Sequence, residues 1–277
     1  MDRKNLKQIV IAAALAGAAC AAQAHRPWMI PNTGTIESDR GEAWATIDAA
    51  ISEGLFETDF MPQKLDGLTV TDPDGATVPA PAAVVGKHRS TVDIRLPKDG
   101  TYRITLAAVN VMGSYKLNGE MKRFRATEQT ASDEIPAGAT EVRSMTMVQR
   151  QDTFVTLNKP SAGALKPTGS GLELVALTNP TELRAGEKAK FRFQLDGKPL
   201  ANFPFSLIPG GVRYRGTLNE VRLTTDANGD AVFTLPAPNM YWLSAKYPAT
   251  EPANAPRGMD GPAKRYSYSA TFEILPE

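Results

Sequence analysis

Strict alternation of polar and apolar residues over short stretches limits this chain to β-structure. Thr91–Leu96 and Tyr102–Leu106 alternate throughout, and Glu141–Val148 and Phe154–Leu157 repeat the pattern. A period of two sends successive side chains to opposite faces, so each run predicts a strand with one buried face. Turn-forming sequences such as Asp72–Gly75 separate the runs. No stretch beyond residue 24 has the 3.6-residue stripe of a helix, and we therefore predict an all-β protein.

A cluster of proline and glycine residues between positions 158 and 171 divides the strand pattern into two parts. We predict an N-terminal β-sandwich domain over residues 25–158, a linker over 159–171 and an immunoglobulin-like β-sandwich over 172–277. About seven short strands in roughly a hundred residues is typical of the immunoglobulin-like sandwich. Ala43–Phe60 is ambiguous, and we expect a strand there followed by an irregular loop.

The first 24 residues are arranged like a secretory signal peptide. Basic residues between positions 3 and 7 precede a short apolar run, and Ala22 and Ala24 satisfy the small-x-small rule for cleavage. No later stretch is long and apolar enough to span a bilayer. We therefore expect a periplasmic or secreted protein without a membrane span in its mature chain. The alternative is lipid attachment at Cys20, although the large aliphatic residue usual before such a cysteine is missing.

Composition excludes several classes of function. The 31 Lys and Arg residues are balanced by 30 Asp and Glu residues, so no basic excess is present to neutralise the phosphates of a nucleic acid. One cysteine and two histidines exclude multi-cysteine metal centres and sites with three imidazoles. The sequence also lacks the nucleophile elbow, the HExxH zinc motif, the P-loop and the dinucleotide fingerprint. We therefore expect a protein that is not an enzyme.

Cleavage after Ala24 would make His25 the first residue of the exported chain. An N-terminal histidine offers its α-amine and its imidazole, which together can close a chelate ring on one metal ion. The other histidine, His88, precedes a predicted strand and is the candidate second ligand. Such a set of three nitrogens suits copper(II) or nickel(II). The alternative is that His25 is simply the residue after the cleavage site and His88 a loop histidine.

Met145 and Met147 fall on one face of a predicted strand. A thioether can bind a metal ion, but methionine in a β-sandwich usually fills the core. We therefore expect these two residues to pack in the core rather than to serve as ligands.

A signal sequence followed by His-x-x-Trp at the mature start resembles the DUF4198 family of exported proteins. The hairpin sequence over Thr225–Pro236, together with Gly186-Glu187 and Gly197–Leu200 before it, is similar to the C-terminal half of that family. The resemblance covers residues 25 to 277. It implies periplasmic handling of nickel or cobalt in association with transport, and hence a possible membrane metal transporter as the partner.

Three functions follow from these observations. The first is a periplasmic binding protein for a divalent transition metal (nickel, cobalt or copper) that serves metal uptake or homeostasis, with His25 as chelating ligand. The second is a non-enzymatic cell-surface or glycan interaction module. The third is a redox enzyme with copper in a histidine brace. Residues that could form the glycan-binding surface of the second are Arg213, Tyr214, Arg215, Tyr241 and Trp242.

Overall fold

The computed structural model describes residues 25–249 and 263–277, so the predicted signal peptide and Cys20 lie outside the described residues. In chain order the strands are β1 (Arg26–Pro31), β2 (Thr35–Ile36), β3 (Ala43–Ser52), β4 (Met61–Pro62), β5 (Leu68–Thr71), β6 (Thr77–Pro79), β7 (Val84–Val85), β8 (Ser90–Leu96), β9 (Gly100–Leu117), β10 (Glu120–Ala126), β11 (Thr140–Leu157), β12 (Leu172–Ala176), β13 (Lys188–Leu195), β14 (Lys198–Pro199), β15 (Pro204–Pro209), β16 (Val221–Thr224), β17 (Asp230–Thr234), β18 (Asn239–Tyr247) and β19 (Lys264–Ile274).

Helix is confined to short turns in the part of the chain that the structure describes. These are a 3-10 turn at Gly163–Leu165 and the four-residue helix α1 at Val212–Arg215. Neither approaches the length needed to cross a membrane, and no other described helix does so. The all-β prediction is confirmed.

Three sheets build two β-sandwiches. A five-stranded sheet has the order β1-β3-β8-β7, with β4 beside β3, and a four-stranded sheet joins β12, β14 and β17 to β13. A ten-stranded sheet lies between them, in the order β16-β15-β18-β19-β11-β9-β5-β6, with β10 and β2 paired beside it. The five-stranded sheet packs on one face of this long sheet, and the four-stranded sheet packs on the opposite face.

Strand β11 contributes to both hydrophobic cores. It pairs with β9 in antiparallel fashion and with β19 in parallel, so it lies at the middle of the shared sheet. Val155 and Leu157 point into the core of the first sandwich, whereas Phe154 points into that of the second. Because alternate side chains enter different cores, the whole run from Asp152 to Leu157 is buried. The sandwiches are therefore joined by a continuous hydrogen-bonded sheet.

A third hydrophobic cluster ties β1 to the second sandwich. Its buried members are Trp28, Ala50, Leu55, Ile208 and Trp242. The indole of Trp242 donates a hydrogen bond to the Pro27 carbonyl (3.1 Å), and the indole of Trp28 donates one to the Ser52 hydroxyl (2.8 Å). Both indole nitrogens are thus satisfied while the rings are buried, so the start of the described chain is fixed at the junction of the sandwiches.

The segment 159–171 packs closely against the first sandwich. A Cβ added at Gly163 would lie 1.8 Å from the carbonyl oxygen of Pro73. Ala164 is completely buried, and Arg103 donates a hydrogen bond to the Lys166 carbonyl (3.2 Å). The domain boundaries proposed from the sequence stay a prediction, and the structure adds that a packed connection and a shared sheet cross them.

Two strands are much longer than the sequence pattern indicates. β9 and β11 have 18 residues each, so the runs Glu141–Val148 and Phe154–Leu157 belong to one strand. The far parts of β9 and β11, together with β10, form a three-stranded extension over residues 107–126 and 140–147, which we call the arm. The arm carries none of the buried residues of the three hydrophobic clusters.

Candidate functional site

His25 lies directly before β1 with its imidazole held between two side chains. The ring stacks on the Phe60 ring, with centroids 3.9 Å apart and planes 8° from parallel. Nε2 of His25 lies 3.6 Å from Oε1 of Glu53, and 40% of the His25 side chain is exposed. The imidazole is therefore oriented by its neighbours and still accessible to a ligand.

The loop after β3 creates this arrangement. The register pairs Arg26 with Ser52, which places His25 level with Glu53 just beyond the end of β3. The chain then turns at Gly54, whose carbonyl accepts a hydrogen bond from the Glu57 amide (3.2 Å). It returns through Phe60 into β4, which pairs with β3 on the side away from β1. The predicted strand and irregular loop over Ala43–Phe60 are confirmed.

The position of Glu53 matters for chelation. A chelate at an N-terminal histidine would use the α-amine and Nδ1, because these two atoms close a small ring around the metal. Nε2 is then the free ring nitrogen, and metal-bound histidines usually direct that nitrogen to a carboxylate. Glu53 lies on this side of the ring at an ion-pair distance. If the chain is cleaved after Ala24, the geometry therefore suits a histidine ligand with an outer carboxylate.

His88 lies in the exposed turn between β7 and β8. A hydrogen bond from the Gly86 amide to the Arg89 carbonyl (2.8 Å) closes this turn. This turn and His25 are at the same end of the five-stranded sheet. However, β1 and β8 flank opposite sides of β3, so their backbones are two strand spacings, about 10 Å, apart. A site shared by His25 and His88 stays a prediction. Within residues 25–249 and 263–277, no three His, Cys, Asp or Glu side chains form a group that could hold a metal ion.

An open groove of about 480 Å³ lies between the sandwiches. Its walls are the loop after β3, the β7–β8 turn and helix α1, and an ion pair from Arg213 to Glu57 (3.3 Å) links the two sandwiches there. Asp59, next to Phe60, and Arg89, next to His88, both line the groove. The lining residues are Leu55, Phe56, Glu57, Thr58, Asp59, Arg89, Gly211, Arg213 and Tyr214.

The residues considered for glycan binding are divided between surface and interior. Tyr214 is 90% exposed at the groove, and Arg213 is also exposed. Tyr241 and Trp242 are buried, and the Arg215 guanidinium is used to bind backbone carbonyls, including that of Pro209 at 2.9 Å. Only one aromatic ring of the set is therefore open to a sugar.

A buried ion cluster where the sandwiches meet was missed by the sequence reasoning. Arg150, only 12% exposed, lies 3.0 Å from Asp152 and 3.4 Å from Glu173, and both carboxylates are 1% exposed. Asp152 also accepts hydrogen bonds from the Tyr268 hydroxyl (2.9 Å) and the Thr105 hydroxyl (2.6 Å). Burial raises the pKa of the Tyr268 hydroxyl well above its usual value, and the neighbouring Asp152 carboxylate adds to the rise.

Glu173 is held by several donors besides Arg150. It accepts hydrogen bonds from the backbone amides of Thr168 (2.8 Å) and Gly169 (2.7 Å) and from the Gln194 side chain (2.6 Å). Burial tends to lower the pKa of Arg150, but the Asp152 and Glu173 carboxylates outweigh it, so the pKa is raised. One guanidinium and two carboxylates are closed off from solvent and bound to each other or to hydrogen-bond donors, so the cluster joins β11, β12 and β19. Its signal in the sequence was the charged pair Arg150 and Asp152, which lies between the alternating runs Glu141–Val148 and Phe154–Leu157.

The chain also matches a known family. The profile of the family described as "Domain of unknown function (DUF4198)" matches residues 22–249. The chain belongs to the DUF4198 family. This confirms the family indicated by the sequence, while the association with nickel and cobalt stays a prediction. The DUF4198 match includes His25, His88 and the strands through β18, and β19 lies after it.

No curated protein matches this DUF4198 chain. Among solved structures it is similar to the D0-D1 domain of Intimin, with 13% identity, 90% of this chain and 97% of that chain covered, and a TM-score of 0.23. It is also similar to an ICAM-5 D1-D4 ectodomain fragment, with 11% identity, coverage of 91% and 51%, and a TM-score of 0.20. It is similar as well to an Escherichia coli alpha-2-macroglobulin, with 13% identity, 92% of this chain and 20% of that chain covered, and a TM-score of 0.23. At these scores the similarities carry no argument about function.

Proposed function

We propose that this DUF4198 protein is an exported binding protein for a divalent transition metal (nickel, cobalt or copper) that acts in metal uptake or homeostasis. His25 is its chelating ligand and becomes the first residue when the signal peptide is removed. A membrane metal transporter is the partner that would receive the ion. The observation that supports this most directly is the placement of the His25 ring between Phe60 and Glu53.

Preorganisation makes that placement favourable for metal binding. Stacking on Phe60 limits rotation of the imidazole before the metal arrives, so less conformational entropy is lost on binding. A carboxylate beside Nε2 favours the tautomer with Nδ1 free, and a hydrogen bond to it in the metal-bound state would make the ring a stronger donor. Nitrogen sites generally bind nickel more tightly than cobalt and copper more tightly than nickel, and we expect that order here.

The first experiment tests the terminal amine. The exported protein is purified, its N-terminus is established by mass spectrometry, and copper(II), nickel(II) and cobalt(II) are titrated by calorimetry. The comparison protein has one alanine inserted before His25, which keeps the imidazole but moves the amine out of chelating range. We expect its metal affinity to fall at least tenfold. An affinity within twofold of the parent would remove the terminal chelate, and so would an exported chain that begins at another residue.

The second experiment separates ligand from positioning residue. His25→Ala should abolish the chelate, whereas Glu53→Gln should lower affinity by about 10- to 100-fold, as is usual when an outer-sphere partner of a metal-bound histidine is lost. With copper(II), the nitrogen hyperfine pattern should persist in Glu53→Gln and disappear in His25→Ala. His88→Ala tests the predicted second ligand by the same spectrum. Equal spectra for the parent and His25→Ala would contradict the proposal.

The groove supports a second candidate function, a surface interaction module. Its support is the exposed Tyr214 ring beside Arg213 in an opening of about 480 Å³. Tyr214→Ala should then abolish binding to an array of surface glycans. Binding that is retained in this variant, or absent from the parent protein, would exclude the groove as a glycan site.

A further inference from the structure

Three methionines share one face of the arm. Met112 in β9 is directly opposite Met145 in β11, and Met147 follows two residues along β11. Cross-strand partners, and residues two apart on a strand, lie on the same face of a sheet. Met112 is 40% exposed, and Met145 and Met147 are partly exposed. We call these three residues the methionine triad.

Packing does not account for the methionine triad. None of its members belongs to the core of either sandwich or to the cluster at their junction. The sequence-based expectation that Met145 and Met147 fill a core is therefore not what the structure shows. Methionine is among the residues most often fully buried, so three partly exposed thioethers together on one face require another explanation.

The spacing allows the three sulfur atoms to converge. Directly opposite residues have Cβ atoms about 5 Å apart, and residues two apart on a strand are about 7 Å apart. Three sulfurs bound to one ion at about 2.3 Å would be separated by about 4 Å. The methionine side chain has three rotatable bonds and adapts to such a change, so the sulfurs can meet without movement of the backbone.

We infer that the methionine triad is a binding site for a soft monovalent cation, with copper(I) as the ion. Thioether sulfur is a soft ligand that selects copper(I) over hard and borderline ions. Cys20 is the only cysteine of the chain, so beyond it the methionines provide all the sulfur ligands. Binding involves no electron transfer, because copper enters and leaves in the reduced state, and it releases no proton because thioethers are neutral.

The arginines near the triad repel a monovalent ion less strongly than a divalent one. Arg125 is opposite Met112, and its guanidinium donates to Oδ1 of Asn110 (3.3 Å) on the same strand as Met112. Arg265 is opposite Met147, on the neighbouring strand β19. A guanidinium repels a divalent ion about twice as strongly as a monovalent one at the same distance. The triad therefore differs in both ligand type and charge preference from the divalent site proposed at His25, and neither depends on the other.

Copper(I) competition tests the triad. The protein is titrated in ascorbate against a chromogenic copper(I) chelator, and methionine methyl groups labelled with carbon-13 are followed by NMR during addition of silver(I), which is a soft ion without redox chemistry. We expect silver(I) to shift the methyl signals of Met112, Met145 and Met147 together. Each single replacement by leucine should weaken copper(I) binding at least tenfold. The copper(I) affinity of the parent protein should not depend on pH between 5 and 8, because thioethers release no proton.

Met121→Leu is the matched control, because Met121 is also on the arm and 57% exposed but is paired with Lys116 near its tip. Its copper(I) affinity should stay within twofold of the parent. Leucine nearly conserves the volume of methionine, and circular dichroism checks that each variant is folded. Copper(I) affinity that survives the triple replacement, or that falls equally in Met121→Leu, would overturn the inference. So would the absence of methyl shifts on silver(I) addition.

Discussion

Replacing Asp152 by asparagine tests whether the buried ion cluster stabilises the junction of the sandwiches. The substitution conserves volume but removes the charge that lies 3.0 Å from the Arg150 guanidinium. Removing one partner of a buried pair typically costs about 3–5 kcal/mol, because the other charge is left buried without full compensation. Arg150 keeps Glu173 at 3.4 Å, so we expect the lower end, a loss of about 3 kcal/mol.

Urea denaturation measures this loss. A typical native protein has an unfolding free energy of about 5–15 kcal/mol, so the expected change is a large fraction of the total. With a denaturant slope near 3 kcal/mol per molar, the midpoint should fall by about 1 M. Trp28 and Trp242 are buried at the junction, so their fluorescence reports on it, while far-UV circular dichroism reports on all three sheets. The two signals should change together, since one sheet runs through both sandwiches.

Asp93→Asn is the control, because Asp93 is an exposed strand aspartate that accepts a hydrogen bond from the Thr46 hydroxyl (2.7 Å). Its loss should stay below about 1 kcal/mol, as for other exposed polar contacts. A loss below 1 kcal/mol for Asp152→Asn would refute the stabilising role of the cluster. If the fluorescence and dichroism transitions of the parent protein occurred at different urea concentrations, the two sandwiches would not unfold as one cooperative unit.

Two further predictions concern the second sandwich and the connecting segment. The Arg192 and Lys190 side chains lower the pKa of Asp230 to about 2, so the stability that ionised Asp230 gives the fold is complete above pH 4 and is lost as the pH falls through 2. Asp230→Asn should cost about 1 kcal/mol of unfolding free energy at pH 7, because both cations are partly solvated. Urea titrations that show an equal cost at pH 2.5 would contradict this. A methyl group on Gly163 would meet the Pro73 carbonyl oxygen at 1.8 Å. Gly163→Ala should therefore cost about 1–3 kcal/mol of unfolding free energy and lower the Tm in a thermal melt by several degrees. An unchanged Tm would mean that the segment 159–171 is not tightly packed.

Alternation located most strands but not their lengths. It identified β8 almost to the residue, because that strand has one buried face and clear breakers at both ends. It divided β11 into two runs, because the side chains of the arm are exposed while the run from Asp152 to Leu157 is buried on both faces. A period-two rule assumes one core per strand, and a strand that serves two cores does not satisfy it. Asp152 was missed because it lies between the two alternating runs, where a charged residue looks solvent-facing.

The candidate site was only partly within reach of sequence reasoning. His25 stands out once cleavage after Ala24 is predicted, and the structure places it in an accessible position. Its neighbours Phe60 and Glu53 are 35 and 28 positions away in the chain, so only the turn after β3 brings them together. The pairing of Met112 with Met145 likewise depends on the register of β9 and β11. Such contacts follow from strand pairing, which a single sequence does not reveal.

The parallel pairing of β11 with β19 sets the order in which the molecule can be completed. Lys264 follows Leu157 by 107 positions, so the ribosome passes the end of β11 long before the residues that pair with it are made. At a synthesis rate of about 5–20 residues per second, this edge of β11 stays unpaired for roughly 5–20 s. Contacts of such long range are slow to form, and an open edge is a target for aggregation. The ten-stranded sheet can therefore be completed only after almost the whole chain has been synthesised, and one edge of β11 stays unpaired until then.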